Sequence, residues 1–194
     1  MPAPSRMALL ILDLISDYQY PDADAIVPGA KRIARTIANL KARARRAGVP
    51  VIYVNDTRGH WESDQAKFIE RCVNASKDAA EIVHTLLPTP EDYFLFKPRH
   101  SAFYATSLTE LLSQLNISSL ILTGLTTHQC VLFTAVDAHV RRYALMIASD
   151  CVAAPEAAET RNALYILERA TAASVKASKA IRFHRGQGRR KRAG

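Results

Sequence analysis

The chain has 194 residues, of which 48% are hydrophobic and 23% are charged, and its formal net charge is +8 at pH 7. This length and hydrophobic content suffice for one substantial core, so we predict a single domain over residues 1–184. Charged residues interrupt every apolar run before it reaches membrane-spanning length, which argues against a transmembrane protein.

The positive charge is concentrated at the C-terminus, where residues 185–194 carry five arginines and lysines and leave +3 on the rest of the chain. This segment, RGQGRRKRAG, has too few apolar residues to pack, so we predict a disordered basic tail. We interpret it as a solvated end without a dedicated partner. Contact with nucleic acid or acidic lipid is the alternative.

The N-terminal sequence MPAPSRMALLILDLI superficially resembles a secretion signal, but it lacks a small-residue cleavage site and Asp13 interrupts its apolar run. Three cysteines, Cys72, Cys130 and Cys151, are odd in number and far apart, which favours reduced thiols over a disulfide framework. We therefore predict a cytoplasmic protein.

Strand and helix patterns alternate along the chain. Apolar runs predict strands at residues 7–15, 49–54, 93–96, 120–123, 143–148 and 172–175. Predicted helices open at Pro28, at a Ser107 to Glu110 capping box, near His128 and at Pro155, whereas residues 55–90 form a polar excursion without a legible pattern. The alternation predicts a three-layer α/β/α domain with an open, Rossmann-like parallel sheet of about six strands.

Cys130 lies in the first turn of the helix that follows the fourth predicted strand. Unpaired backbone N–H groups and the helix dipole favour negative charge there, so we predict a thiol with a lowered pKa. Thr126 and Thr127 can cap this helix, and any backbone N–H that they leave free can stabilise an oxyanion. The alternative is that Cys130 is a small core residue, the usual role of a lone cysteine.

Asp13 and Lys97 occupy positions equivalent to that of Cys130, at or just after the carboxyl end of a predicted strand. These ends face one crevice in an open parallel sheet, so the three side chains should meet. The carboxylate would take the thiol proton, the lysine would stabilise the anion, and the thiolate would attack a carbonyl. Taken singly, Asp13 could cap a turn and Lys97 could be a surface charge.

Three segments carry these residues: DLISDY from Asp13, KPRHSAF from Lys97 and GLTTHQCV from Gly124. In order and spacing they resemble the motifs of the isochorismatase-like cysteine hydrolases, namely Asp-x-x-Asn-Asp-Phe, Lys with a following Ser-Ala-Phe, and Gly-Val-x-Thr-x-x-Cys-Val. Ser16 and Tyr18 replace the asparagine and phenylalanine of the first motif. The family includes nicotinamidases, N-carbamoylsarcosine amidases and biuret-type amidases, and the likeness runs from about residue 7 to residue 175.

The resemblance implies a catalytic triad of Asp13, Lys97 and Cys130 that hydrolyses an amide or ureido C–N bond of a small molecule through a thioester. It also implies a cis peptide between Leu125 and Thr126, an oxyanion hole formed by the N–H groups of Thr126 and Cys130, and a homo-oligomer with candidate contacts near Trp61 and Phe68. Isochorismatases that cleave a vinyl ether lack the cysteine, so Cys130 favours amide chemistry. A vinyl-ether hydrolase and a non-catalytic binding or scaffold protein with an unused triad remain alternatives.

The chain departs from the metal site of nicotinamidases, an Asp-x-His pair with a further histidine, because Arg58 follows Asp56 where a histidine would stand. Arginine is not a metal ligand, and Asp56 with His60 falls short of a zinc site, so we predict no metal and no other cofactor. Arg58 and His60 either recognise substrate or stabilise a turn. The candidate substrate-binding residues are Tyr18, Asn55, Arg58, His60, Trp61 and Phe103.

Overall fold

A computed structural model describes residues 6–59 and 63–183 of the chain. Two of the candidate substrate residues, His60 and Trp61, lie outside these ranges. So do the predicted boundary at residue 184 and the predicted basic tail, and both stay predictions.

Six parallel strands form one sheet in the order β3-β2-β1-β4-β5-β6. This order reverses between β1 and β4, which is the topology of a doubly wound, Rossmann-like sheet, and it confirms the predicted fold class. The strands are β1 Met7–Leu12, β2 Val51–Asp56, β3 Tyr93–Lys97, β4 Ser119–Leu125, β5 Ala144–Ala153 and β6 Ser174–Lys176.

Helices cover both faces of the sheet, because β1 sends alternate side chains to two separate cores. The helices are α1 Ala23–Arg46, α2 Gln65–Ala75, α3 Lys77–Thr85, α4 Leu108–Gln114, α5 Leu132–Val140 and α6 Ala157–Thr171. Leu9 and Ile11 pack under α1, α2 and α3, whereas Ala8, Leu10 and Leu12 pack under α4, α5 and α6. A single π-helical turn, Thr127–Val131, precedes α5, and a 3₁₀ turn, Ser178–Ala180, follows β6.

Helix α1 begins at Ala23, earlier than the start predicted at Pro28. Pro28 lies inside the helix, in its second turn, because the apolar face continues on the N-terminal side of the proline. Ala23 and Ile26 are buried on that face together with Ala30 and Ile33. Burial of these side chains outweighs the tendency of proline to mark a helix start.

The polar excursion between β2 and β3 contains α2 and α3, which the sequence did not predict. Side chains of Asp64 and Ser76 cap their N-termini. Phe68 of α2 is buried against Phe94 and Phe96 of β3, so the structure does not place it at the surface as an oligomer contact. The homo-oligomer itself stays a prediction.

Two predicted helix starts differ from those in the structure. The Ser107 capping box does not form, since Ser107 makes no capping hydrogen bond and the hydroxyl of Thr106 accepts from the Leu108 N–H instead. Helix α6 opens with a capping box between Glu156 and Glu159. Within residues 6–59 and 63–183, no helix is both long and apolar enough to cross a membrane.

Candidate active site

The carboxyl ends of β1, β3 and β4 bring Asp13, Lys97 and Cys130 together. Gly124 permits the close approach of β4 to β1. Its φ is +112°, within strand β4, and a Cβ at this position would collide with the backbone carbonyl of Leu12. Only glycine combines this backbone conformation with such close packing, so β4 continues through Gly124, beyond the end predicted at residue 123.

Asp13 follows β1 directly and holds its carboxylate between two strand ends. Its backbone N–H donates to Val54 O at 3.1 Å, and its Oδ1 accepts from the Asp56 N–H at 2.6 Å. Its Oδ2 lies 2.9 Å from Lys97 Nζ but accepts no well-aligned hydrogen bond in the part of the chain that the structure describes. One carboxylate oxygen is therefore fixed by the backbone, and the other faces Lys97 Nζ.

Lys97, the last residue of β3, is completely buried and links the other two side chains. Its Nζ lies 2.9 Å from Asp13 Oδ2, 3.5 Å from Asp56 Oδ2 and 3.4 Å from Cys130 Sγ. Burial alone would lower the pKa of Lys97, but Asp13 and the other negative groups around it raise that pKa above its usual value. The lysine therefore remains a cation at neutral pH.

Cys130 lies in the π-helical turn with 8% of its surface exposed. Burial raises the pKa of its thiol, the Asp13 carboxylate raises it further, and Lys97 lowers it by less than these two together. The predicted lowering of the pKa is therefore wrong: burial of the sulfur and a nearby carboxylate outweigh the helix end. At neutral pH Cys130 is a thiol, not a preformed thiolate.

The turn that carries Cys130 is closed by the backbone. The carbonyl of Thr126 accepts from the N–H groups of Gln129 and Val131, and the peptide bond between Leu125 and Thr126 is cis. The predicted side-chain caps are absent: Thr126 Oγ1 has no partner within the described ranges, and Thr127 Oγ1 contacts Thr160 Oγ1 at 3.3 Å. The Thr126 N–H donates none of the turn or loop hydrogen bonds of the described residues.

A cleft of about 1210 Å³ opens above Asp13 and Cys130. Its walls come from the loops after β1, β2, β3 and β5 and from the turn after β4. The polar residues that line it besides Asp13 and Cys130 are Tyr20, Asp22, Asp56, Thr57, Arg58, Arg99, His100, Tyr104, Thr126, His128, Gln129, Glu156 and Glu159. Small polar molecules can reach the thiol from this side.

The structure places Arg58 at the cleft, but Tyr18, Asn55 and Phe103 are buried and do not line it. The Tyr18 hydroxyl donates to Leu14 O, and Asn55 Oδ1 accepts from the Ile15 N–H. These two residues fix the segment after β1 rather than contacting the cleft. Phe103 packs in the core on the other face of the sheet.

Sequence reasoning missed several residues of the cleft, among them Tyr20, Tyr104 and the pair of His128 and Glu159, whose Nε2 and Oε1 lie 3.7 Å apart. Asp56 was considered only as a metal ligand, although its position at the end of β2, next to Asp13 after β1, places it at the same edge of the sheet. Tyr20 and Tyr104 each lie one or two residues beyond a predicted aromatic residue. No sequence signal distinguishes the buried aromatic residue from the accessible one.

No group of three or more histidine, cysteine, aspartate or glutamate side chains within residues 6–59 and 63–183 is arranged to hold a metal ion. His60, the possible partner of Asp56, lies outside those residues. The three cysteines are all free.

The isochorismatase domain, as a sequence family, matches residues 7–178 of this chain. The chain is 38% identical over 169 residues to the isochorismatase family protein YaaI of Bacillus subtilis, and the match covers 87% of this chain and 92% of that protein. It is 29% identical over 155 residues to a maleamate amidohydrolase of Pseudomonas putida, with 76% and 72% covered. The crystal structure of an N-carbamoylsarcosine amidase from Thermoplasma acidophilum is also similar, with a TM-score of 0.64, 29% identity and 91% and 98% covered.

Proposed function

From the premise that this chain belongs to the isochorismatase family of hydrolases, we propose that it cleaves a C–N bond of a small amide or ureido compound through a thioester on Cys130. One observation carries the proposal: buried Lys97 contacts both Asp13 and Cys130, and these two residues line one open cleft. The similarity to a maleamate amidohydrolase and an N-carbamoylsarcosine amidase also supports amide chemistry.

In the first half of the reaction, Asp13 acts as a general base. Its Oδ2 can accept a proton, and the Cys130 thiol is protonated because the pKa of Cys130 is raised. Proton transfer to Asp13 accompanies attack of Sγ on the amide carbonyl carbon, which breaks the C=O π bond and forms an oxyanion. The N–H groups of Thr126 and Cys130 would stabilise that oxyanion.

Lys97 compensates for the charge that moves during this step. Before attack the negative charge is on Asp13, and after proton transfer it is on the sulfur and then on the oxyanion. Lys97 Nζ is within 3.5 Å of both the carboxylate and the sulfur, so one fixed cation stabilises both arrangements.

Collapse of the oxyanion breaks the C–N bond, and Asp13 returns its proton to the departing ammonia or amine. A water molecule then loses a proton to Asp13 and attacks the thioester carbonyl. The carboxylic acid leaves, and the thiolate of Cys130 recovers its proton from Asp13. Asp13 thus alternates between base and acid in the two halves of the reaction.

A screen of small amides and ureas for ammonia release tests the proposal. At least one compound should be hydrolysed by the wild type and by Cys72→Ser, whose sulfur is buried away from the cleft, but not by Cys130→Ala. Dialysis against a chelator should leave the rate unchanged. Turnover of a vinyl ether but of no amide, or binding in the cleft without any turnover, would instead support one of the two alternative functions.

A further inference from the structure

The cleft is charged differently on its two sides. Strands β2 and β3 lie on one side of Asp13 in the sheet, and they contribute Arg58 and Arg99 to the cleft, together with Asp56, whose carboxylate lies 3.5 Å from Lys97 Nζ. Strand β5 lies on the other side, and the start of α6 that follows it contributes Glu156 and Glu159. The arginines of the cleft therefore lie on one side of Asp13, and the two glutamates lie on the other.

The carboxylates on the α6 side are already engaged within the protein. Glu159 Oε2 accepts from the Glu156 N–H at 3.0 Å, and Glu159 Oε1 faces His128 Nε2 at 3.7 Å. The Glu156 side chain accepts from the backbone of the first turn of α6. These side chains stabilise the start of α6.

The guanidinium of Arg58, in contrast, lies on an aromatic face. Its Cζ is 3.4 Å from the centroid of the Tyr20 ring, a distance that requires the guanidinium to rest flat on the ring. Burial raises the pKa of Tyr20 to about 12, so the phenol is neutral and does not cancel the charge. The N–H groups of a stacked guanidinium point outward in its plane and remain free to bind a carboxylate with two parallel hydrogen bonds.

The backbone of Arg58 is tied to the catalytic centre. Asp56 Oδ1 accepts from the Arg58 N–H at 2.7 Å, and the Asp56 N–H donates to Asp13 Oδ1 at 2.6 Å. Arg58 therefore has a defined position relative to the carboxylate that is proposed to act as the base. A ligand bound to Arg58 would therefore have a defined position relative to Cys130.

The charges around Asp13 indicate what the Arg58 guanidinium can do in the cleft. Among the described residues, Lys97 is the one cation within 4.0 Å of Asp13 or Asp56, so this group of three carries a net negative charge while Cys130 is a thiol. Within the described residues the side chain of Arg58 stacks on Tyr20 and makes no ion pair within 4.0 Å. An anionic substrate would be repelled by the catalytic centre unless a nearby cation offset that charge, and Arg58 is placed to do so.

We propose that Arg58 is a specificity-determining residue that selects small amides bearing a carboxylate. The carboxylate binds the guanidinium while the amide carbonyl lies at Cys130. This inference rests on the proposed amide hydrolysis and names the substrate class for it.

The test compares amides that differ only in charge: succinamate with succinamide, and glutaramate with glutaramide. For at least one pair the wild type should favour the carboxylate-bearing monoamide by about tenfold or more in kcat/KM. Arg58→Gln should lose about 10- to 100-fold on that monoamide, mainly through KM, and little on the diamide. Arg58→Lys should recover part of the preference, and Arg35→Gln, an exposed arginine of α1 paired with Glu81, should behave as the wild type.

A binding measurement separates this inference from the proposed function. Calorimetry with succinate should show binding to Cys130→Ala that is weakened about tenfold or more by adding Arg58→Gln. Such binding without hydrolysis of any amide would contradict the hydrolase function and leave the anion site standing. Three results would overturn the inference about Arg58 alone. The first is equal turnover of monoamide and diamide that Arg58→Gln does not change. The others are a preference for the cationic amide β-alaninamide, and the absence of both succinate binding and monoamide turnover.

Discussion

The protonation state of Cys130 determines how the site reacts with electrophiles. Alkylation requires a thiolate, and the raised pKa means that the thiolate fraction grows about tenfold per pH unit through and above neutrality. The rate of iodoacetamide labelling at Cys130, followed by peptide mass spectrometry, should therefore rise continuously between pH 6 and pH 9. A rate that is already constant between pH 6 and pH 8 would show a preformed thiolate and contradict this assignment.

The other two cysteines provide the control for this labelling. Burial raises the pKa of Cys72 to about 12 and also raises that of Cys151, and both residues are completely buried. Cys130 differs because it lines the cleft. It should be labelled first in the folded protein, and all three should be labelled alike after denaturation.

Gly124 is the residue whose replacement should damage the site most directly. An alanine would need a backbone φ of +112° and would place its Cβ against the Leu12 carbonyl, next to Asp13. We expect Gly124→Ala to lower the free energy of unfolding by about 3 kcal/mol or more. Chemical denaturation measures this loss.

Gly48 is a matched control, since it also has a positive φ, of +70°, but a methyl group added to its Cα would meet nothing within 4 Å. Gly48→Ala should therefore cost only about 1 kcal/mol, the strain of a left-handed alanine. Equal losses for the two variants would show that close packing of β4 on β1 is not the reason for Gly124.

At the residue scale, sequence reasoning predicted that the three side chains we propose to react would meet, but it did not predict their surroundings. Asp13, Lys97 and Cys130 could be predicted because strand ends and motif spacing fix where they lie. The pKa of Cys130 could not, since burial depth depends on the packing of loops from distant segments. Asn55 and Asp56 illustrate a second limit: in a strand buried on both faces, hydrophobicity does not reveal which polar neighbour points to the cleft.

At the scale of elements, a buried ion pair joins α1 to the segment before β3. The carboxylate of Asp92 is 2% exposed and lies 2.9 Å from Lys41 Nζ and 2.5 Å from an Arg45 nitrogen. Burial alone would raise the pKa of Asp92, but hydrogen bonds from Arg45, the Thr89 N–H and Lys41 lower it below its usual value. The pair therefore holds the segment that leads into Lys97.

Asp92→Asn should lower the free energy of unfolding by about 3 kcal/mol at pH 7, because it leaves the buried Lys41 and the half-buried Arg45 without this counterion. A carboxyl group with a depressed pKa contributes its stability above its unfolded pKa of about 4, and the contribution is lost as pH falls through the folded pKa. The difference between wild type and variant should thus shrink under acidic conditions. Denaturation at pH 7 and near pH 3 measures both quantities.

Asp78 offers the matched control, as it pairs with Lys31 at 2.5 Å but has a side chain that is 54% exposed. Solvent screening makes such a pair weak, so Asp78→Asn should change stability far less than Asp92→Asn. Comparable losses from the two variants, or a loss at Asp92 that does not depend on pH, would contradict the role of the buried ion pair.

Helix starts were less predictable than helices, and α1 and α6 show why. A proline or a serine marks where a helix can begin, but burial of residues further upstream, such as Ala23 and Ile26, moves the start. The helices α2 and α3 were missed because their short amphipathic faces are interrupted by polar residues. Their buried side chains, including Phe68 and Ile82, become apparent only when they pack on α1 and β3.

At the scale of the whole molecule, the C-terminal segment should divide into a structural part and a dispensable part. Arg43 of α1 donates to Ser178 O and Ile181 O, and Asp150 Oδ2 accepts from the Ser178 hydroxyl. No residue after Glu159 lines the cleft in the described chain. Deletion of residues 185–194 should therefore leave turnover and thermal stability nearly unchanged.

Deletion of residues 178–194 is the contrasting variant, and it should destabilise the domain because α1 and β5 lose these contacts. Thermal unfolding and turnover of both truncated chains test the division. A large loss of kcat on removing residues 185–194 alone would show that the basic tail supports the site.

The sheet was predictable as a whole because each strand is an apolar run and the runs alternate with helical patterns. The strand order, which places β1 and β4 side by side, follows from the family resemblance and from the doubly wound topology rather than from any local pattern. That adjacency is what brings Asp13 and Cys130 to one site.

The central claim is that Asp13 and Cys130 act as one catalytic unit. Its most direct test is the turnover of Asp13→Asn, Cys130→Ser and the double variant on a substrate found in the amide screen. Each single variant should lose about a thousandfold or more in kcat, and the double variant should lose little beyond the worse single one, since removal of either group disables the same proton transfer and attack. Losses that multiply in the double variant, or a Cys130→Ser enzyme with near-full turnover, would contradict the claim.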